Sequence, residues 1–132
     1  MRFMPASNIR VLIVDDHELV RRNITALLDR EEDLEVVGTA ANGREAIQLA
    51  KSVEPDVIVM DVVMPELDGI RAADVIHKYN SDTSIIILSM HHSTALMLQA
   101  RDSGVSGYIL KQEATRRLIP AIHAAHEGRL SL

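Results

Sequence analysis

The chain has no cysteine, no tryptophan, only three aromatic residues (Phe3, Tyr79 and Tyr108) and only four prolines among its 132 residues. Without cysteine there is no disulfide framework and no thiolate zinc site, which suits a reducing cytosol. With so few aromatics, the core must be built from Val, Ile, Leu, Met and Ala, the residues that fill strands covered by helices on both faces. Basic residues are also short: 14 against 19 acidic ones, a net charge of −5. That balance disfavours direct binding of DNA, RNA or an anionic membrane, each of which selects a clustered basic face. No apolar stretch approaches the roughly 20 residues of a membrane-spanning helix. Residues 1–14 are interrupted by Pro5, Ser7, Asn8 and Arg10, so they do not read as a secretory signal. A soluble, cytoplasmic chain is expected.

What is present is apolar material in short, regular runs. At 47% hydrophobic residues the chain has enough for one real core. Residues 1–8 read as a disordered lead-in, residues 9–128 as one domain, and residues 129–132 as the start of a linker. Five β-type runs are expected at Ile9–Val14, Leu34–Ala40, 56–60, Ser84–Ser89 and 105–110, alternating with five helix-type stretches. The third and fourth are continuously apolar, as strands buried on both faces must be, and are read as central. The order β-α throughout predicts an α/β fold with a doubly wound parallel sheet rather than a repeat array.

The helices carry their own signals. Val20, Ile24, Leu27 and Leu28 form one stripe in the first, opposite an exposed side holding Arg21, Arg22 and Asp29. Asn42-Gly43-Arg44-Glu45 opens the second as a capping box, and Asp68-Gly69 starts the third. Leu118, Ile122 and Ala125 mark a last helix over residues 113–127, ended by Gly128. Pro120 inside it is awkward.

Four of the apolar runs end on residues capable of phosphate or metal chemistry: Asp15-Asp16, Asp61, Ser89 and Lys111. Parallel strands place their carboxyl ends on one edge, where open α/β folds bind ligands. Two carboxylates about 5 Å apart repel by about 3 kcal/mol at an effective dielectric of about 20. Asp15, Asp16 and Asp61 therefore call for a hard divalent cation. Mg²⁺ takes few carboxylates, keeps waters and completes its shell with phosphate oxygens. Ser89 can donate a hydrogen bond to a phosphoryl oxygen, and Lys111 can supply a point charge.

These residues resemble the receiver domains of bacterial two-component response regulators. The resemblance rests on Val14-Asp15-Asp16-His17, on residues 56–61 followed by Met64-Pro65 and Asp68-Gly69, on Ile87-Leu88-Ser89, and on Gly107-Tyr108 before Lys111. The stretches IRVLIVDDHELVRR, ANGREAIQLA and SGYILK look most like the NarL/FixJ (LuxR-type) subgroup. The resemblance implies a flavodoxin-like (βα)5 fold with strand order 2-1-3-4-5. It implies that Asp61 accepts a phosphoryl group from a phosphohistidine on a sensor histidine kinase, forming an aspartyl phosphate. It further implies Mg²⁺ or Mn²⁺ held by Asp16, Asp61 and the Val63 carbonyl, with Asp15 assisting through water. Ser89 and Lys111 would hold phosphoryl oxygens, and Tyr108 would change rotamer as Ser89 moves, altering a surface that can self-associate. Gln112 and Asn23 depart from family habit without touching the chemistry, while Val63, Met90 and His91 fall where the family tunes phosphate lifetime. A helix-turn-helix DNA-binding domain would follow a linker beginning near residues 126–130, so DNA would be bound outside this chain. A stand-alone single-domain regulator is the alternative.

Other readings compete at particular residues. Tyr108 could be plain half-buried packing. His17 could contact the site or merely open the first helix. His91-His92 and His123-x-x-His126 lack partners at zinc spacing and read as solvated histidines. Gly104-x-x-Gly107 is a turn signal. A flavodoxin-type cofactor site is disfavoured because Asp15-Asp16 would repel a phosphate. A nucleotide-binding Rossmann site is disfavoured because no glycine occurs before Gly38. A phosphohydrolase with an aspartyl nucleophile needs a second Asp where Val63 stands, so turnover catalysis is not expected. A receiver-like interaction module that is never phosphorylated is the rival from another class, yet it would have no need for Asp16, Asp61 and Lys111 together.

Overall fold

The computed structural model describes residues 8–64 and 67–131. Of the expected lead-in only Asn8 is among the described residues, where it is exposed and outside any strand, and Pro65 and Leu132 also lie outside them. Strands β1 (Ile9–Val14), β2 (Leu34–Ala40), β3 (Val57–Asp61), β4 (Ser84–Ser89) and β5 (Gly107–Leu110) alternate with helices α1 (Glu18–Asp29), α2 (Gly43–Val53), α3 (Gly69–Tyr79), α4 (Thr94–Asp102) and α5 (Ala114–His126). Every strand pairing is parallel, and the sheet order is β2-β1-β3-β4-β5, as expected.

The two-residue period of a strand sends alternate side chains to opposite faces, and the core divides accordingly. Leu12, Ile58, Met60, Ile85 and Ile87 pack with Ala46, Ala72, Ile76 and Ala100 of α2, α3 and α4. Val11, Ile13, Val59, Ile86 and Leu88 pack on the other face with Ile24, Leu28, Leu118 and Ile122 of α1 and α5. All five residues of β3 are buried, which is why that run has no polar alternation. Each such aliphatic side chain contributes about 1.5–3 kcal/mol on burial, offset by the entropy of ordering the chain.

Two strands, β3 and β5, differ from expectation in their bounds, for identifiable reasons. Asp56 lies just before β3, where its carboxylate accepts the Arg10 N–H at 2.9 Å and its own N–H donates to the Arg10 carbonyl at 2.8 Å, so that it clasps β1. Asp61 instead belongs to β3, paired with Leu88. The last strand begins at Gly107 rather than at residue 105: Val105 is buried, but its N–H bonds the Ala100 carbonyl at 3.1 Å and finishes the turn from α4. A short 3-10 turn, Lys111–Glu113, precedes α5. Pro120 lies within α5 at an exposed position, so the carbonyl its missing N–H leaves free, that of Arg116, is on the exposed side of the helix.

The caps follow the sequence closely. Asn42 Oδ1 accepts the Glu45 N–H at 2.9 Å, and Glu45 Oε1 reaches back to the Ala41 N–H at 3.0 Å, one residue earlier than a standard capping box. Asp68 caps α3 through the Arg71 N–H at 2.9 Å. Its neighbour has to be glycine: a Cβ on Gly69 would lie 2.1 Å from the Asp61 carbonyl oxygen. Helix α3 thus starts pressed against the backbone of Asp61 itself.

Candidate functional site

The registers bring the strand ends together. Val14 pairs with Met60, Asp61 with Leu88, and Ser89 with Leu110. Asp15, Asp16 and Lys111, each just beyond its strand, therefore meet Asp61 and Ser89 at one edge of the sheet.

Lys111 organises the centre. Its Nζ lies 2.8 Å from Asp15 Oδ2 and 3.2 Å from Asp61 Oδ2. Asp15 and Asp61 are almost wholly buried, at 1% and 4% exposure. Burial and the charge of Asp15 push the Asp61 carboxyl above its ordinary range, against the opposing pull of Lys111 and the Val63 N–H. Burial also works against the Lys111 ammonium, but hydrogen bonds and charge from Asp15 and Asp61 together outweigh it and hold the lysine above its usual value. One ammonium thus serves two carboxylates in a dry setting, where a lone charge would be strongly disfavoured.

Asp16 joins through His17. The imidazole Nδ1 is 3.2 Å from Asp15 Oδ1 and 3.1 Å from Asp16 Oδ1. Asp15 Oδ1 also accepts the His17 N–H at 2.9 Å. His17 therefore both opens α1 and contacts the site. Asp15, Asp16, His17 and Asp61 each present a ligand atom within 4.8 Å of the others. The carboxylate oxygens form a hard donor set of the kind Mg²⁺ prefers. Val63, 72% exposed, directs its N–H at Asp61 Oδ1 over 3.3 Å.

Ser89 and Tyr108 form a second group. The Ser89 hydroxyl donates to the His91 carbonyl at 3.0 Å and accepts the His91 N–H at 3.2 Å. The Tyr108 hydroxyl donates to the same carbonyl at 3.2 Å. Tyr108 is buried, at 5% exposure, with its ring in the core on the α3–α4 side. The structure therefore gathers Asp15, Asp61 and Lys111 by direct contact, Asp16 through His17, and Ser89 with Tyr108 through His91.

Two contributors to the site, and one contact elsewhere, have no clear signal in the sequence. The His91 carbonyl is a backbone group that no residue type announces. Arg21, read as part of the exposed side of α1, donates from Nη1 to the Asp15 carbonyl at 2.6 Å; its place one turn after His17 is the available signal. His123, read as solvated, meets Asp33 at 2.6 Å, far from this edge.

The chain matches the family model described as the response regulator receiver domain over residues 11–123. It is 40% identical over 124 residues to the transcriptional regulatory protein LiaR of Bacillus subtilis, covering 94% of this chain and 59% of LiaR. It superposes on the signal receiver domain of the response regulator NarL from Mycobacterium tuberculosis with a TM-score of 0.89 at 31% identity, covering 94% of this chain and 100% of that one. A LuxR-family two-component response regulator from Aurantimonas sp. SI85-9A1 aligns with a TM-score of 0.91 at 36% identity, covering 96% and 90%. The chain spans under three fifths of the length of the curated relatives it matches first. No helix among the described residues is long and apolar enough to cross a membrane.

Proposed function

The chain belongs to the response regulator receiver domain family, with NarL/LuxR-type relatives, and from that membership we propose that it accepts one phosphoryl group on Asp61 from a sensor histidine kinase. The observation that carries the reading is the buried Asp61 carboxylate, 3.2 Å from Lys111 and within reach of Asp15 and Asp16. In the transfer, an Asp61 carboxylate oxygen bonds to phosphorus, the P–N bond of the phosphohistidine breaks, and its electron pair stays on the imidazole nitrogen.

Asp16, Asp61 and the Val63 carbonyl would hold Mg²⁺ or Mn²⁺, with Asp15 assisting through water. Such an ion supplies positive charge to the transferring phosphoryl oxygens. Lys111 is already aimed at Asp61 and neutralises one further oxygen. The Ser89 hydroxyl, now on its own turn, would rotate to another. The chemistry ends at the aspartyl phosphate and its hydrolysis; the domain is a signalling module rather than a turnover enzyme. The rest of the reading is output. A receiver domain over residues 9–128, with a linker from 129, would switch transcription through a helix-turn-helix domain outside this chain, acting in the cytoplasm and self-associating on phosphorylation.

Intact mass after incubation with acetyl phosphate and Mg²⁺ tests the assignment. The native chain should gain one phosphoryl group and Asp61→Asn none. The same gain in the variant would move the acceptor elsewhere.

A further inference from the structure

Past α5 the chain reverses. Gly128 adopts a φ of +82°, its N–H bonds the Ala125 carbonyl at 3.0 Å, and the Arg129 N–H bonds the Ala124 carbonyl at 2.8 Å. These are the two bonds of a Schellman termination, which needs a residue at ease in the left-handed region. The reversal delivers Ser131 to the outer edge of β5, the last strand of the sheet. There the Ser131 N–H donates to the Ser106 carbonyl at 2.7 Å, and the Ser131 carbonyl accepts the Tyr108 N–H at 3.2 Å, making a parallel bridge opposite Gly107. A sheet edge is otherwise a row of unpaired main-chain groups.

Tyr108 is thereby tied at both ends. Its hydroxyl is bound to the His91 carbonyl, which the Ser89 hydroxyl shares, and its N–H is bound to Ser131. The segment meets the edge of β5 through main-chain bonds, while Leu130 remains 65% exposed. Little apolar burial of Leu130 therefore resists its release.

We propose that residues 128–131 form a strap whose seat on the edge of β5 is coupled to the position of the Tyr108 side chain, so that moving the phenol away from the His91 carbonyl loosens the strap and redirects the chain leaving α5. Its phosphoryl-driven form rests on the reading of Asp61 given above. Once Ser89 turns toward a phosphoryl oxygen, the hydrogen-bonded turn that fixes the His91 carbonyl opens. Tyr108 then loses its anchor, and the change passes through the main chain of β5 to Ser131. By linkage, the strap biases the site as much as the site biases the strap.

Amide hydrogen exchange followed by NMR on the full chain tests this. Tyr108→Phe keeps the ring but removes the hydroxyl, and it should speed exchange of the Ser131 amide by about threefold or more through local opening. In the reverse direction, Ser131→Pro should shift the Tyr108 ring resonances while leaving those of Tyr79 in place. An unchanged Ser131 amide in the first variant, or unchanged Tyr108 resonances in the second, would overturn the coupling. Acetyl phosphate with Mg²⁺ supplies the other arm, with mass measured on the same sample. A mass gain with faster exchange at both Tyr108 and Ser131 supports the full chain of events, whereas a mass gain with both rates unchanged overturns the phosphoryl link. No mass gain would instead remove the Asp61 reading and leave the two variants to decide the strap.

Discussion

At the amino-terminal end of the sheet, Asp56 accepts the Arg10 N–H at 2.9 Å and Asp33 meets His123 at 2.6 Å, each acid with its own donor. At the carboxy-terminal end, Asp15 and Asp61 share the single ammonium of Lys111, and Asp16 leans on a histidine that also serves Asp15. The same residue type at two ends of one sheet thus meets opposite fates. Aspartates that hold the fold are matched one to one with donors. Asp15 and Asp61 at the other edge are crowded, buried and short of positive charge, beside a more exposed Asp16, a local conflict of the kind that functional sites tolerate. Crowding at one edge can survive because the two aliphatic layers and the well-matched opposite edge carry the stability.

The contrast breaks most visibly at Lys111. Replacing it by methionine, Lys111→Met, leaves two buried carboxylates with no ammonium, and should cost about 3 kcal/mol at pH 7 in urea unfolding. The loss should shrink in acid, as Asp61 takes up a proton. A cost near zero would mean that Asp15 and Asp61 are not held by charge. At the matched end, Asp56→Ala removes one acceptor from the Arg10 N–H and should cost about 1–2 kcal/mol. Added Mg²⁺ should leave that cost unchanged; a cost that varied with Mg²⁺ would blur the distinction between the two edges.

The smallest effect belongs to His123 and Asp33. The contact with Asp33 raises the His123 pKa, so its contribution is present below the usual 6.5 and is lost as pH rises through the raised value. The same hydrogen bond lowers the Asp33 pKa, so its contribution is present above 3.8 and is lost as pH falls through the lowered value. Both partners are partly exposed, so the pair should contribute under about 1 kcal/mol, greatest between those two limits. His123→Gln should flatten that part of the stability–pH curve. An unchanged curve would mean that the pair adds nothing.

The two edges also differed in how readily the sequence disclosed them. Asp61, Ser89 and Lys111 stood out because each terminates an apolar run, and parallel strands bring such termini together without any knowledge of side-chain contacts. The capped helix starts and the stop at Gly128 were legible for similarly local reasons. Asp33 and His123 are 90 residues apart, and nothing local pairs them. Asp56 looked like the first residue of a strand because it precedes four apolar residues; its side chain works as a clasp instead. The strap could not be foreseen either, since Ser131 pairs with β5 only through main-chain groups.

Urea unfolding of the native chain and Asp61→Asn across pH, without Mg²⁺, distinguishes a carboxy-terminal edge that is destabilised by its own charge from one that is matched like the opposite edge. Because the fold raises the Asp61 pKa, its ionised form weakens the native state as pH rises from 3.8 through the raised value. The neutral amide should therefore unfold at higher urea than the native chain at pH 7, with the two curves converging below about pH 3.8 as Asp61 protonates in both the folded and unfolded states. A variant that unfolds at lower urea than the native chain at pH 7 would contradict the account, because Asp61 would then be a stabilising partner of Lys111 like the aspartates at the other edge.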